Sequence, residues 1–347
     1  MKPSQVAQAL RHCISVKRPV FIWGPPGVGK SDTVAQVAKA MGRDLSDVRL
    51  SLLDPVDLKG FPVPDMANRQ MTWLPADFLP PMEVKKTVGK GKAAVEMMVA
   101  NDTEGVLFLD ELTSAPPAVQ GAAYQLILNR KIGNYTLPIG WDIVAAGNRE
   151  GDRSIVHRMP AALRNRFIHV EYEVNADEWS QWAVSSDIQT EIIAFLRFKS
   201  NLLHSFDPSA DPRAFPTPRT WAFASDILKS NLPAAVELEL LRGTVGDAAG
   251  ELTAFMRVYK DLPTVDEVLM NPDKAALPNE LSAKYAISTS LAAKASRDNF
   301  DVVMQYVNRL PTEFQVVFMR DSARRDDGVQ KAQSYMKWCV KNHEVMT

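Results

Sequence analysis

The chain has 347 residues, of which 46% are hydrophobic and 23% are charged, a balance that predicts two or three globular domains and excludes bulk disorder. Its formal net charge of −1 gives no overall attraction for nucleic acid or acidic membranes, although a local basic groove is compatible with that value. The two cysteines, Cys13 and Cys339, are too few for a disulfide scaffold or a cysteine-rich metal site, and they favour a reducing compartment.

The chain begins with MKPSQVAQALRHC, which lacks the long apolar core of a signal peptide. No uninterrupted apolar run is long enough to span a bilayer. We therefore expect a soluble, cytoplasmic protein that makes no membrane contact.

Short apolar segments alternate with helical patterns up to about residue 175. The segment SDTVAQVAKAMG places Val34, Val37, Ala38 and Met41 on one helical stripe, and PPAVQGAAYQLILN has prolines suited to a first helical turn. Five strands are predicted at residues 19–24, 47–53, 105–112, 141–148 and 167–174. Near-continuous apolar strands separated by helices are typical of a parallel sheet covered on both faces. The sequence therefore predicts an α/β fold, an αβα sandwich with a five-stranded parallel sheet.

Two segments interrupt this alternation. Residues 54–82 are rich in proline and aspartate and contain short β-like pieces at 61–64 and 70–74. Residues 129–140 predict a hairpin around the Gly-Asn pair at 133 and 134. The α/β pattern resumes after each of the two segments.

Past residue 175 the pattern becomes helical, with proline-rich breaks at 207–220 and 261–278. We therefore expect an α/β domain, then an all-α domain, then an α-helical C-terminal extension. The expected bounds are residues 1–175, 176–262 and 263–347.

The segment GPPGVGKS at residues 24–31 matches G-x-x-x-x-G-K-S in full, with a predicted strand before it and a helix after it. Its glycines let backbone N–H groups turn toward an anion, and the helix N-terminus adds a partial positive charge. Lys30 is expected to reach the β- and γ-phosphates of ATP, and the Ser31 hydroxyl is expected to coordinate Mg²⁺. The residues expected to bind the nucleotide in this phosphate loop are Gly24, Pro25, Pro26, Gly27, Val28, Gly29, Lys30, Ser31 and Asp32.

Polar side chains end two further predicted strands. VLFLDE places Asp110 and Glu111 at the carboxyl edge of the sheet, where open α/β sheets bind ligands. We expect Asp110 to hold the Mg²⁺ shell and Glu111 to polarise the attacking water as a general base. Asn148 ends IVAAGN and is expected to hold that water or the γ-phosphate, with a turn-forming asparagine as the alternative.

In this order these motifs resemble those of AAA+ ATPases. The segments DPVDLKG, FLDELTSAPPAVQGAAYQLI, VAAGN and TPRTW are similar to the MoxR branch, over about residues 17–230. The resemblance implies a P-loop αβα domain followed by an all-α lid, assembled as a ring that is usually a hexamer. It also implies that the segments 54–82 and 129–140 are insertions that face the pore or the client; ordinary surface loops are the alternative.

The segment LRNRF carries two arginines without an obvious acidic neighbour in the sequence. The resemblance implies that Arg166 reaches the ATP of the next subunit as a trans-acting finger, and that Arg164 is a second finger or an interface salt-bridge partner. It further implies that Arg219, in TPRTW, touches the γ-phosphate bound by its own subunit. The alternatives are surface arginines in the first case and a helix-start arginine in the second.

The predicted function is a Mg²⁺-dependent, ring-forming ATPase of the MoxR type that remodels or matures a protein partner. By resemblance alone, that partner contains a von Willebrand factor A domain. Phe61, Trp73 and Tyr135 are candidate client contacts or packing residues. One alternative is a nucleic-acid motor, because Arg130, Lys131 and the lysines of residues 83–92 supply basic groups. Another is a chelatase-type motor subunit. A last alternative, a nucleotide-gated scaffold with little turnover, is disfavoured by the intact Asp110, Glu111 and Asn148.

Overall fold

The computed structural model describes residues 1–88, 95–152, 156–207 and 212–343. Part of the lysine-rich segment 83–92 and part of the proline-rich break 207–220 therefore lie outside the described residues. Contacts group the chain into two compact units, Met1–Glu173 and Val174–Thr347. No helix of the described ranges has the length and apolar character that crossing a membrane requires.

The first unit contains a parallel sheet with helices on both faces. Its strands are β1 (Val20–Trp23), β2 (Asp44–Arg49), β3 (Phe61–Asp65), β4 (Gln70–Leu74), β5 (Glu83–Val88), β6 (Val95–Ala100), β7 (Gly105–Asp110), β8 (Lys131–Ile132), β9 (Tyr135–Thr136), β10 (Trp141–Gly147) and β11 (Ile168–Glu171). Its helices are α1 (Pro3–Ser15), α2 (Lys30–Ala40), α3 (Pro55–Lys59), α4 (Pro117–Asn129) and α5 (Ala161–Arg164).

Five of these strands form one sheet in the order β11-β1-β10-β7-β2, and every pairing in it is parallel. All residues of β7 and β10 are buried, as their apolar sequences predict for central strands covered on both faces. The predicted αβα fold with a five-stranded parallel sheet is confirmed. In a parallel sheet all carboxyl ends meet at one edge, so the ends of β1, β7 and β10 lie side by side there.

The prediction of the second strand was wrong in its bounds. The strand runs over Asp44–Arg49, whereas residues 50–52 of the predicted 47–53 form a single 3₁₀ turn. The backbone N–H of Asp44 donates to the carbonyl of Glu104, so pairing with β7 begins before the apolar run. The run LSLL suggested a strand because it is apolar, yet Leu52 is 77% exposed beyond the end of the ladder.

The β-like pieces predicted within residues 54–82 and the hairpin predicted within residues 129–140 are both confirmed, and the former also pair as a hairpin. Strands β3 and β4 pair antiparallel, and β8 and β9 enclose a turn at residues 133 and 134. Tyr135 is buried, and its hydroxyl donates to the carbonyl of Pro80 at 2.8 Å, which makes it a packing residue. A third hairpin, β5 with β6, was not predicted, because lysines occupy positions where an alternating apolar pattern would signal a strand.

Gly60 directly precedes β3 and lies against the end of β4. Its φ is +90°, and a Cβ placed there would lie 2.0 Å from the carbonyl oxygen of Leu74. We expect Gly60→Ala to destabilise the fold by at least about 1–3 kcal/mol, because the alanine is strained before the clash is counted. Gly121→Ala is the matched control: it meets nothing within 4 Å on α4, so a helix-propensity gain of about 0.5–1 kcal/mol is expected. Urea unfolding of both variants tests this, and an unchanged midpoint for Gly60→Ala would contradict it.

The described residues of the second unit form helices, as predicted for the chain beyond residue 175. They are α6 (Ala176–Ser185), α7 (Thr190–Phe198), α8 (Pro218–Lys229), α9 (Ala234–Val245), α10 (Ala248–Lys260), α11 (Val265–Met270), α12 (Leu281–Lys294), α13 (Phe300–Val307), α14 (Thr312–Arg325) and α15 (Gln333–Lys341). Two apolar cores meet along α12, where Ala286 belongs to one and Ile287 to the other. A buried ion pair between Arg197 and Asp321 joins α7 to α14.

Candidate active site

The phosphate loop lies between the end of β1 and the start of α2. Gly27 and Gly29 have φ values of +74° and +98°, which residues with a Cβ adopt at a cost, so the two glycines let the loop turn. Gly29 is the residue directly before α2, and the helix begins at Lys30. The first N–H groups of the helix therefore face the space that the loop encloses, which suits an anion. Asp32 lies exposed in the first turn of α2.

The Lys30 ammonium is held on three sides. It is only 9% exposed, and it donates to the carbonyls of Gly24 at 2.7 Å and Pro25 at 2.9 Å and to Oδ1 of Asn148 at 3.0 Å. A lysine ammonium has three donors, so these three bonds match its capacity. The contact also fixes where Asn148 lies: at the end of β10, against the lysine of the loop.

Tyr172 packs against the phosphate loop, a role that the sequence did not indicate. Its hydroxyl lies 3.1 Å from that of Thr33, which in turn donates to the carbonyl of Gly29 at 2.9 Å. A Cβ on Gly24 would lie 3.1 Å from the Cβ of Tyr172, so the loop and the tyrosine are in close contact. Tyr172 is buried and immediately follows β11. From the sequence alone, a tyrosine that supports the phosphate loop looks the same as one that packs in an ordinary core.

Ser31 and Asp110, the two predicted Mg²⁺ ligands, are neighbours. The Ser31 hydroxyl donates to Oδ2 of Asp110 at 2.8 Å, and the other oxygen of Asp110 accepts from the backbone N–H of Glu111 at 2.8 Å. Adjacent ligands of an octahedral Mg²⁺, each about 2.1 Å from the ion, lie roughly 3 Å apart. Two hard oxygen donors at this separation fit that ion. Burial, and then the charges of Asp110 and Glu111, raise the pKa of Asp47 on β2, so the two carboxylates disfavour a further negative charge nearby.

Glu111 has an uncommon backbone conformation. Its φ is +57°, a value that costs a non-glycine residue about 1–3 kcal/mol and persists only where the surroundings impose it. Here the N–H of Glu111 donates to the side chain of Asp110. The carbonyl of Glu111 accepts from the N–H groups of Ser114 and Ala115. The Ser51 hydroxyl donates to Oε2 of Glu111. Ser51 was missed because the predicted strand ran through it; with the strand ending at Arg49, Ser51 falls at the same carboxyl edge as Asn148.

Removing the Ser51 hydroxyl tests its hold on Glu111. We expect Ser51→Ala to raise ATP turnover roughly two- to tenfold, because the hydrogen bond occupies one carboxylate oxygen of Glu111 and a bond of this kind contributes about 1.5 kcal/mol or less at a part-exposed site. Steady-state hydrolysis measures the effect, and Ser51→Thr, which keeps the hydroxyl, serves as control. Turnover that is unchanged or lower in Ser51→Ala would contradict the assignment.

Arg164 and Arg166 are exposed on and just beyond α5. Within the part of the chain that the structure describes, no carboxylate forms an ion pair with either guanidinium. Their charges are therefore available to an external anion. Arg219 lies exposed in the first turn of α8, in the second unit, and its predicted contact with the γ-phosphate stays a prediction.

Residues 19–167 match the family model described as the AAA domain of the dynein-related subfamily. This segment is an AAA+ ATPase domain. The match includes the phosphate loop, Asp110, Glu111, Asn148 and both arginines of LRNRF, and the chain is accordingly a nucleotide-binding, ATP-hydrolysing enzyme. Tyr172 and Arg219 lie outside the matched segment. No curated protein matches the sequence significantly.

Several solved structures are similar to this chain at low identity. A protein of Cytophaga hutchinsonii described as an unconfirmed ATPase is 16% identical, over 91% of this chain and 79% of its own, with a TM-score of 0.34. A RuvB variant of Thermotoga maritima is 17% identical, over 88% of this chain and 84% of its own, with a TM-score of 0.37. NtrX of Brucella abortus in complex with ADP is 13% identical, over 99% of this chain and 68% of its own, with a TM-score of 0.35. These scores lie below 0.5, so the assignment rests on the family match and on the site.

Proposed function

We propose that the protein is a Mg²⁺-dependent ATPase of the MoxR type that forms a ring, usually hexameric in such proteins, and remodels a protein partner. The observation that carries this proposal is the pair of exposed guanidinium groups at Arg164 and Arg166, which form no ion pair with the residues that the structure describes, in a chain that also carries a phosphate loop. We further propose that residues 176–262 act as the lid and residues 263–347 as a helical extension.

The chemistry assigns a role to each residue around the phosphates. Ser31 and Asp110 would hold Mg²⁺, which neutralises charge on the phosphates when it is bound. Lys30 binds the β- and γ-phosphates, Glu111 accepts a proton from the attacking water, and Asn148 orients the reacting groups beside Lys30. Negative charge that develops on the γ-phosphate lacks one further cation, and we assign that role to Arg166 of a neighbouring copy, with Arg164 beside it.

Two observations favour a protein partner over nucleic acid: exposed apolar side chains on one insertion, and basic side chains that are already bonded within the chain. On the β3–β4 insertion, Phe61 is 69% exposed and Met66 is 83% exposed, and apolar surface of this kind suits a protein partner. The basic groups that would favour nucleic acid are partly engaged: Arg130 donates to the carbonyls of Pro138 and Trp141, and Lys86 pairs with Asp102. By resemblance, the partner contains a von Willebrand factor A domain.

Mixing two inactive variants tests the shared active site. Lys30→Ala lacks the phosphate-binding amine but keeps its arginines, whereas Arg166→Ala keeps its phosphate loop but lacks the finger. Interfaces that combine the loop of Arg166→Ala with the arginines of Lys30→Ala are complete, so activity should return on mixing. No return at any ratio, with mixed rings demonstrated by native mass spectrometry, would reject the trans-acting arginine.

The nature of the partner is tested by trapping. Glu111→Gln is expected to hold ATP and its partner together, and the bound protein can be identified by mass spectrometry. Lys30→Ala, which cannot hold ATP, is the matched control. DNA-stimulated hydrolysis together with salt-sensitive DNA binding would instead support a nucleic-acid motor.

A further inference from the structure

His169 on β11 uses both of its ring nitrogens. The indole N–H of Trp23 donates to Nδ1 of His169 at 2.9 Å, and Nε2 of His169 lies 2.9 Å from the carbonyl oxygen of Arg164. An indole can only donate, so Nδ1 is the acceptor, and in the neutral ring the hydrogen is then on Nε2. The histidine therefore donates to Arg164 while it accepts from Trp23.

Ring packing holds His169 in this orientation. The rings of Trp23 and His169 stack at 27° with centroids 6.0 Å apart, and Phe21 lies 4.4 Å from Trp23. Strands β1 and β11 are parallel, and their register places Phe21 directly beside His169. This register brings the three rings close enough to pack. Trp23, His169 and Arg164 line an open cleft of about 530 Å³.

The carbonyl that His169 binds belongs to the turn that carries both arginines. That carbonyl also accepts from the N–H of Phe167 at 3.2 Å, and the N–H of Arg166 donates to the carbonyl of Leu163 at 3.1 Å. Helix α5 has only four residues, which is too short to be stable on its own. Its last turn therefore depends on outside bonds such as the one from His169.

We infer that His169 is a positioning residue for the trans-acting arginines. By tying the Arg164 carbonyl to Trp23, it connects the turn that a protomer offers to its neighbour with the residue directly before its own phosphate loop. A displacement of that loop is thereby passed to the arginines at the adjoining active site. This inference rests on the proposed function, because it requires those arginines to act in trans.

His169→Phe keeps an aromatic ring for the stack and removes both hydrogen bonds. We expect its kcat to fall roughly tenfold to a hundredfold, because a misplacement of about 1 Å can cost that much, while KM for ATP stays within twofold. His169→Gln, which offers one acceptor and one donor, should recover part of the loss. Trp23→Phe removes the donor from the other side and carries the same test if His169→Phe fails to fold.

Mixed rings distinguish positioning of the arginines from general damage. His169→Phe mixed with Lys30→Ala should regain activity, because the second variant supplies well-placed arginines to the intact phosphate loop of the first. His169→Phe mixed with Arg166→Ala should stay inactive, since neither supplies a competent finger. A histidine with a purely structural role would give no return in either mixture.

The mixture of Lys30→Ala with Arg166→Ala separates the two possible failures. If that mixture is active and His169→Phe with Lys30→Ala is not, the role of His169 is rejected and the proposed function stands. If the reference mixture is itself inactive in demonstrated mixed rings, the trans-acting arginine is rejected and the role of His169 with it. An unchanged kcat in both His169→Phe and Trp23→Phe also overturns the inference.

Discussion

Arg166→Ala is expected to lower ATP turnover by about 10³- to 10⁵-fold, the effect of removing an arginine finger from related phosphate chemistry. The guanidinium binds the γ-phosphate oxygens while charge spreads over them, so its loss affects the transition state more than the bound substrate. ATP affinity and ring assembly should therefore stay close to those of the unmodified protein. Rapid-quench hydrolysis, isothermal titration calorimetry and mass photometry measure these three quantities.

Two further variants locate the effect of Arg166→Ala. Arg320→Ala removes an exposed arginine on α14, in the second unit, and should leave turnover within about twofold, as surface substitutions usually do. Arg164→Ala shows whether the neighbouring guanidinium contributes. Arg166→Ala that retains more than about a tenth of the activity would remove it as the principal finger.

The fold was predictable from the sequence wherever burial dominates. Strands β7 and β10 are buried along their whole length, so their sequences are continuously apolar and their bounds came out almost as predicted. Strand β2 lies at the sheet edge, and Val48 is the one buried residue among its six, so composition there does not mark where pairing begins. Among the β5 and β6 residues whose burial the structure describes, none is buried, and without a buried face a hairpin leaves no periodic signal.

Some residues of the candidate site could be predicted from the sequence, and others could be found only in the structure. Residues 24–31, Asp110 and Asn148 are recognisable because their positions in the chain are tied to strand ends, and the structure brings them together around Lys30. Three further residues are bonded to neighbours of this constellation from distant parts of the chain. Ser51 contacts Glu111, and Tyr172 contacts Thr33. His169 contacts Trp23, the residue before the phosphate loop. Serine, tyrosine and histidine are common residue types, and strand pairing or a turn determines which residues they contact. Their spacing along the sequence therefore does not predict these contacts.

The strained backbone at Glu111 belongs to the same assembly. Its left-handed φ is imposed by hydrogen bonds from the turn that follows β7, and Asp110 contributes by accepting the N–H of Glu111. The same Asp110 accepts from Ser31 at the start of α2. The position of the carboxylate of Glu111 is thus coupled to the phosphate loop before any ligand is bound, an arrangement that lowers the cost of organising the site during reaction.

Glu111→Gln should abolish most hydrolysis while ATP still binds. An amide cannot accept a proton from water, and removing a general base typically costs about 10²- to 10⁴-fold in rate. Glutamine has nearly the same shape, bears the φ of +57° as glutamate does, and can still accept from Ser51, so the fold and the phosphate loop should be retained. Single-turnover hydrolysis and calorimetric ATP binding measure the two effects separately.

Glu150→Gln supplies the control for charge in the Glu111→Gln experiment. Glu150 is exposed and follows the end of β10, so its substitution removes one negative charge from the same edge of the sheet without touching the site. Its turnover should stay within about twofold of the unmodified protein, because exposed charges in water interact weakly with one another. Rapid hydrolysis by Glu111→Gln would remove Glu111 as the base. Equal losses in both variants would show that net charge, and not proton acceptance, governs the rate.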